Sequence, residues 1–345
     1  MLPPLMRFAS LLLAVVLTAC QQPYSVAPTP TTVVMAALPG ATVYPTQTPR
    51  GIEPLPTSLN PGVRGEAPLI PQDAGSTPAL SALITPLPPN SDEAGLVPTL
   101  ALSAVDAVPP DAIMVGRSAG GRAIWARRFG AGERIIVLVG GMHGGWEANT
   151  VALVSELIAY FEAHPGDVLP GVSLLLIPAA NPDGLPYGRE PQGRFNANGV
   201  DLNRNWSCGW SASAVWRDQP VNPGATAFSE PETRAIAAFI GQVRPAVALF
   251  YHSAANGVFA GNCGERGGAT VDSWVMAGVY GEAAGYSYGQ AFSAYPVTGT
   301  AASWADGQGV ASADVELRSW TDSEFDANLR GVMALQAWVL TLPNP

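Results

Sequence analysis

An apolar run, a glycine-rich turn and a helical pattern follow one another between residues 135 and 160. That succession restricts the fold more than any other stretch of the chain. Ile135-Ile136-Val137-Leu138-Val139 is apolar without alternation, as in a strand buried on both faces. Residues 150–160 carry Ala152, Leu153, Leu157 and Ile158 on one helical face. Between the two lies Gly140-Gly141-Met142-His143-Gly144-Gly145-Trp146-Glu147, whose glycines permit a tight turn at the strand's carboxyl end. Open α/β sheets bind their ligands at that edge. A neutral imidazole (His143) and a carboxylate (Glu147) held there are two of the three protein ligands that a catalytic zinc site needs.

Further strands are expected at residues 123–128, 172–177, 247–251 and 313–317, and helices at 149–163, 272–284 and 324–340. Another helix should run to residue 240, with Ser229 as its N-cap and Glu232 closing a capping box. Strands alternating with helices predict an α/β fold with a mixed, mostly parallel central sheet flanked by helices. The globular part, residues 111–345, is about 230 residues, enough for one well-cored domain. Residues 179–227 have no periodicity, and so long a loop inside a compact domain marks a functional segment. Within it, Asn181-Pro182-Asp183-Gly184 reads as a solvated Asx turn, and Asn203-Arg204 as an anion-recognition pair. A guanidinium presents a planar fork of donors that matches a carboxylate.

The first twenty residues hold one basic residue, Arg7, then an apolar core at residues 8–17 and Leu17-Thr18-Ala19-Cys20. This is a secretory signal, and its end resembles a bacterial lipobox in which Cys20 becomes the lipidated first residue. The alternative is an ordinary signal whose cleavage discards Cys20. Residues 21–110 are rich in Pro, Thr and Ala and cannot build a core; they form a disordered linker or stalk. A net charge of −10 without any basic stripe argues against nucleic acid, and leaves a lipid anchor as the contact with a membrane. The expected location is the bacterial cell surface, outside the cytoplasm, lipid-anchored or secreted. Of the three cysteines, Cys208 and Cys263 then remain to pair in an oxidising compartment.

There are three histidines. His164 precedes Pro165 in a surface context, whereas His143 and His252 each follow an apolar strand, so parallel neighbours would bring both to one sheet edge. Read in order, several segments now resemble the zinc carboxypeptidase family of the carboxypeptidase A type. They are the His143…Glu147 turn, Gly199-Val200-Asp201-Leu202-Asn203-Arg204-Asn205, Tyr251-His252-Ser253, Tyr295 ahead of Thr298-Gly299-Thr300 and Trp304, and Val315-Glu316-Leu317-Arg318. The resemblance implies one zinc ion per chain, held by His143, Glu147 and His252 with a water in the fourth position. The family's usual spacing is His-x-x-Glu; here three residues intervene, and Gly144 and Gly145 would absorb the extra one in left-handed conformations.

By the same resemblance, Asp201 orients His143 and Glu316 is the general base and acid. Arg194, with Arg189 as fallback, stabilises the oxyanion, and Asn203, Arg204 and Tyr295 hold the substrate's terminal carboxylate. The position that reads the released side chain falls on Ala302, which favours apolar or aromatic ends over basic ones, and Trp304 is either core or pocket wall. The function implied is a monomeric extracytoplasmic metallocarboxypeptidase acting on peptides. Its alternatives are a peptidoglycan stem-peptide peptidase of the same family, with a muropeptide as substrate, and a non-catalytic surface-binding lipoprotein.

Overall fold

The computed structural model describes residues 108–263, 270–289 and 292–343. The signal segment, Cys20 and nearly all of the linker lie outside the described residues. The chain runs through β1 (Ile113–Arg117), β2 (Ala123–Phe129), β3 (Arg134–Val139), α1 (Ala148–Ala163) and β4 (Val172–Ile177). A small hairpin follows, β5 (Ala214–Trp216) and β6 (Gln219–Val221), then α2 (Pro231–Val243), β7 (Val247–Ser253) and β8 (Gly257–Ala260). Helices α3 (Val271–Ala284) and α4 (Ala301–Gly307) precede β9 (Ala311–Leu317) and α5 (Phe325–Val339).

Among the described residues, seven strands form one sheet in the order β1-β2-β4-β3-β7-β9-β8. Its centre is parallel, β4-β3-β7-β9, and antiparallel strands complete both sides. The fold is thus the expected mixed, mostly parallel sheet with helices on both faces. Alternation along the strands divides the core in two. Ile136, Leu138, Leu249, Val315 and Leu317 pack under α1, α3 and α5 on one face. Val137, Val139, Ala248 and Phe250 face the other way, toward Ile236 and Ile240 of α2 and Ala301 and Ala305 of α4.

Three readings need correction. Helix α2 has Glu230, not Ser229, at its N-cap, and no capping box forms. Pro231 fixes the first turn, the Glu230 N–H donates to Asn205 Oδ1 (3.1 Å), and Glu232 turns away to accept from the Ala119 N–H (2.8 Å). The Asn181–Gly184 stretch does contain an Asx turn, Gly184 N–H to Asn181 Oδ1 (3.1 Å), but it is buried rather than solvated. Asp183 accepts there from Ser118 Oγ (2.7 Å) and the Gly120 N–H (2.8 Å), fastening the long loop to the β1–β2 turn. Strands β1, β5, β6 and β8 and helix α4 carried no periodic signal. The Cys208–Cys263 disulfide is present, with Cα atoms 5.9 Å apart, tying the loop after Asn205 to the segment after β8.

Candidate active site

Parallel register gathers the site at one edge. Val139, the last residue of β3, lies opposite Phe250 of β7, and His252 lies opposite Glu316 of β9. Beyond Val139 the chain makes one turn of 3-10 helix, Gly144–Glu147, before entering α1. Gly144 adopts φ +47°, and a Cβ there would lie 2.7 Å from the Gly193 carbonyl oxygen. This left-handed residue takes up the extra position between His143 and Glu147. Gly145 is needed for space instead, since its Cβ would stand 2.7 Å from Gly188 N. Thr150 secures the turn: its hydroxyl accepts from the Gly141 N–H (2.9 Å) and donates to the Glu147 carbonyl (2.7 Å).

His143, Glu147 and His252 are all buried and converge. His143 Nδ1 lies 2.8 Å from Glu147 Oε1, His252 Nδ1 lies 3.1 Å from Glu147 Oε2, and the two Nδ1 atoms are 3.3 Å apart. Ligands about 2.0–2.1 Å from a tetrahedral zinc ion would stand roughly 3.3 Å from one another. The donor set is the His₂Glu of open catalytic sites, and three lone-pair atoms aimed at one point are stable only around positive charge. The electrostatics agree. Burial alone would raise the Glu147 carboxyl, but His143 and His252 outweigh it and hold it far below the carboxylate range. Burial works to lower His252, yet the Asp314 and Glu147 carboxylates push it up to about 10. The residues therefore fit a cation, supplied either by protons or by a metal.

Around the triad, Asp201 Oδ1 lies 3.3 Å from His143 Nε2 and accepts from the Asn203 N–H (3.0 Å). An acceptor facing Nε2 keeps the proton there and frees Nδ1 for a metal. The other oxygen, Oδ2, accepts from Arg194 Nε (2.9 Å) and Nη2 (2.8 Å). Arg194 Nη1 is buried without a hydrogen-bond partner, 3.7 Å from Glu147 Oε1. Arg189 lies over Trp320 at 4.3 Å and Trp146 at 5.7 Å, so Arg194 is the arginine of the two that lines the cavity.

The cavity leaves about 50 Å³ accessible to water and is lined by His143, His252, Arg194, Arg204, Tyr295 and Glu316, among others. Two larger clefts open elsewhere, around Gly171 and around Phe325, and neither gathers residues of this kind. Arg204 is buried; its Nε donates to the Val215 carbonyl (3.1 Å) and Nη1 to its neighbour's carbonyl at Asn203 (2.8 Å). Among the described residues Nη2 has no partner. Asn203 Oδ1 accepts from the Ala301 N–H (2.9 Å), which docks the start of α4 onto the site. Tyr295 lies edge-on to Phe292, centroids 4.9 Å apart. Glu316 Oε2 is enclosed without a partner. Burial, aided by Glu147 and Asp314 and opposed by His252 and Arg194, pushes its carboxyl up to about 8.

Ala302 does not line this cavity: it is buried in the core cluster beneath α4, so its size says nothing about the substrate. Trp304 is core, packed on Trp206 (5.1 Å) and Phe228 (5.9 Å). His164 stays outside the site, stacked on Tyr160. Trp216, Phe259, Phe292 and Asp314 also line the cavity and were not anticipated from the sequence. Trp216 comes from the small hairpin and left no signal. Asp314 was legible in principle, because Ser312, Asp314 and Glu316 alternate with Ala313, Val315 and Leu317 along a central strand.

The sequence profile of the zinc carboxypeptidase family matches residues 109–328. Murein peptide amidase A of Escherichia coli K12 is 31% identical over 160 residues, covering 42% of this chain and 60% of that protein. Zinc carboxypeptidase A 1 of Anopheles gambiae is 29% identical over 209 residues, covering 52% of this chain and 47% of that protein. The chain thus spans less than two thirds of these curated relatives. Among solved structures, bovine thrombin-activatable fibrinolysis inhibitor superposes with a TM-score of 0.57 at 18% identity, over 66% of this chain and 90% of that one. The murein-tripeptide amidase of Escherichia coli O157 gives 0.50 at 22%, over 70% and 97%. At such identities the structural likeness speaks for the fold.

Proposed function

The chain belongs to the zinc carboxypeptidase family, and from that premise we propose that it removes the C-terminal residue of peptides outside the cytoplasm. The observation that carries this reading is the pairing, in one cavity, of the converging His143, Glu147 and His252 with the uncommitted guanidinium edge of Arg204. A cleavage centre and an anion clamp side by side fit hydrolysis of the last peptide bond.

When bound by His143, Glu147 and His252, zinc supplies Lewis acidity, which polarises the scissile carbonyl and acidifies water. Glu316 takes the proton from the attacking water and returns it to the leaving amine. A carboxyl raised toward neutrality by its enclosure suits both transfers. Arg194 Nη1, buried and without a hydrogen-bond acceptor, is the donor that meets the negative charge developing on the carbonyl oxygen. Asp201 keeps Arg194 and His143 in place. Arg204, with Asn203 and Tyr295, receives the terminal carboxylate in a charge-assisted contact.

A second reading, cleavage of peptidoglycan stem peptides, is favoured by the similarity to murein peptide amidase A. Comparing muropeptides with ordinary peptides as substrates separates the two. Surface tethering through Cys20 is supported by the lipobox-like Leu17-Thr18-Ala19-Cys20 and by a disulfide that needs an oxidising compartment.

The test uses substrate and enzyme together. Arg204→Ala should lower kcat/KM about ten- to a hundredfold, the scale of one charge-assisted hydrogen bond. Amidating the peptide's C-terminus should cost the wild type as much and the variant little. Equal cleavage of amidated and free peptides by the wild type would replace the carboxypeptidase reading with an endopeptidase one.

A further inference from the structure

We propose that Asp314 is a positioning residue for the metal centre: it keeps the proton of His252 on Nε2 and so leaves Nδ1 free to bind zinc. The inference rests on the zinc carboxypeptidase reading and adds to it a residue of strand β9.

A histidine binds a metal through the nitrogen that carries no proton, and the hydrogen bond made by the other nitrogen decides which one that is. Both histidines of this site turn Nδ1 inward. His143 Nδ1 lies 2.8 Å from Glu147 Oε1, and His252 Nδ1 lies 3.1 Å from Glu147 Oε2. Each therefore needs an acceptor behind Nε2. For His143 it is Asp201 Oδ1, at 3.3 Å. For His252 the matching oxygen is Asp314 Oδ1, at 3.4 Å. That oxygen is enclosed and takes no hydrogen bond from elsewhere among the described residues.

His252 differs from His143 in facing a competitor. Asn203 Nδ2 stands 3.2 Å from the same Nε2. The Asn203 amide is held in this orientation, since its Oδ1 accepts from the Ala301 N–H (2.9 Å). A donor against Nε2 favours the tautomer with the proton on Nδ1, the one that cannot bind the metal. Asp314 opposes it with a charged acceptor, and charge-assisted hydrogen bonds are about twice as strong as neutral ones. With Nε2 protonated, the Asn203 amide group is left to the substrate's terminal carboxylate.

Position 314 has no other evident duty. Parallel strands covered on both faces are ordinarily apolar throughout, and Asp314 stands opposite Phe250 of β7 and Phe259 of β8. On the same face of β9, the Ser312 hydroxyl donates to the Ala302 carbonyl (2.7 Å) and holds α4, and Glu316 is assigned to proton transfer. Among the described residues, the close polar contact of Asp314 is His252. A central strand is also a rigid support: the β7–β9 register that pairs His252 with Glu316 fixes where the Asp314 carboxylate stands.

The experiment measures the zinc affinity of the full-length protein by competition with a chelator, and needs no substrate. Asp314→Ala should bind zinc about 10–100-fold more weakly than wild type. Asp314→Asn, which keeps the shape and an acceptor oxygen but not the charge, should fall between the two. Asn203→Asp in the Asp314→Ala background is the discriminating variant. It keeps an oxygen for the Ala301 N–H and sets a carboxylate oxygen against Nε2, so affinity should return toward that of wild type. NMR of the zinc-loaded wild type should show two imidazole N–H protons protected from exchange, and Asp314→Ala should lose one of them. Wild-type affinity in both Asp314→Ala and Asp314→Asn overturns the proposal. So does a loss that Asn203→Asp fails to repair, which would leave Asp314 a purely structural residue. A full equivalent of zinc in His252→Ala removes the underlying ligand reading instead.

Discussion

Glu316→Gln should abolish activity and yet stabilise the metal-free protein, with a gain that depends on pH in a defined way. The wild-type carboxyl titrates at an ordinary 4.5 in the unfolded chain and at about 8 in the folded one, where burial is the main cause. Because the folded value is raised, the native state holds a proton that the unfolded chain has released, and stability falls as pH rises from 4.5 through 8. Glutamine does not titrate, so the variant escapes this loss. At pH 7 the difference amounts to at most about 3 kcal/mol, and less to the degree that water reaches the half-buried side chain. The assay is urea unfolding of the chelator-treated protein, disulfide intact, at pH 4, 7 and 8.5. The variant's advantage should be near zero at the first, clear at the second and largest at the third. Activity of the zinc-loaded variant should fall by roughly two to four orders of magnitude. A variant no more stable than wild type at pH 8.5, or an advantage that does not change with pH, would refute the account of Glu316 as a strained buried acid.

His143→Ala and His252→Ala should each lose zinc on purification, because a three-ligand site cannot spare an imidazole; a full equivalent of metal in His252→Ala would sink the ligand assignment. Asp201→Ala should weaken zinc binding about 10–100-fold in a chelator competition, the usual scale for a group that orients a ligating histidine. Unchanged affinity would mean that Asp201 serves Arg194 alone. Thiol labelling of the denatured, unreduced protein should find neither Cys208 nor Cys263 free. Reducing that bond should cost roughly 4 kcal/mol in the chain-entropy view, read as a lowered urea midpoint.

What could be read from the sequence was what obeys a period. β3, β4, β7 and α1 are long, apolar and regular, and their boundaries fall within a residue or two of expectation. His143 follows β3, His252 lies near the end of β7 and Glu316 near the end of β9, so the residues drawn to one sheet edge were legible with their strands. The stretch 179–227 obeys other physics. Its backbone is satisfied by side chains rather than by a ladder. Asn205 alone donates to Pro223, Thr226 and Ser229 and accepts from Glu230 N and Thr233 Oγ1. Asn196 accepts from the N–H groups of Asn198 and Val200 and donates to Glu230 and Glu232. Apart from the two local Asn196 bonds, these join residues 18 to 36 positions apart and leave no local pattern. The misplaced N-cap of α2 has the same origin, since the N–H of the actual cap residue, Glu230, is met by Asn205 from 25 residues away. The specificity position failed differently: alignment by motif placed Ala302 in the pocket, while packing put it in the core.

Strand β9 shows how a central sheet tolerates a site with this much unpaired charge. Its Ala313, Val315 and Leu317 are fully buried against α3 and α5, and that apolar face fixes the register. A slip of one residue would bring Asp314 and Glu316 into the core and carry Val315 to the cavity, an exchange that two apolar residues and two carboxylates make prohibitive. The hydrophobic face thus sets the position of the polar one, and Glu316 stands beside His252 because Val315 is locked beneath it. The opposite face is then free to hold groups that cost stability. Glu316 without a donor on Oε2, Asp314 without one on Oδ1 and Arg194 without an acceptor on Nη1 all lie there, around a single cavity. Unsatisfied buried groups scattered through a fold are defects; gathered around one cavity and opposite a clamp, they are the places where water and a developing oxyanion can supply what the protein withholds.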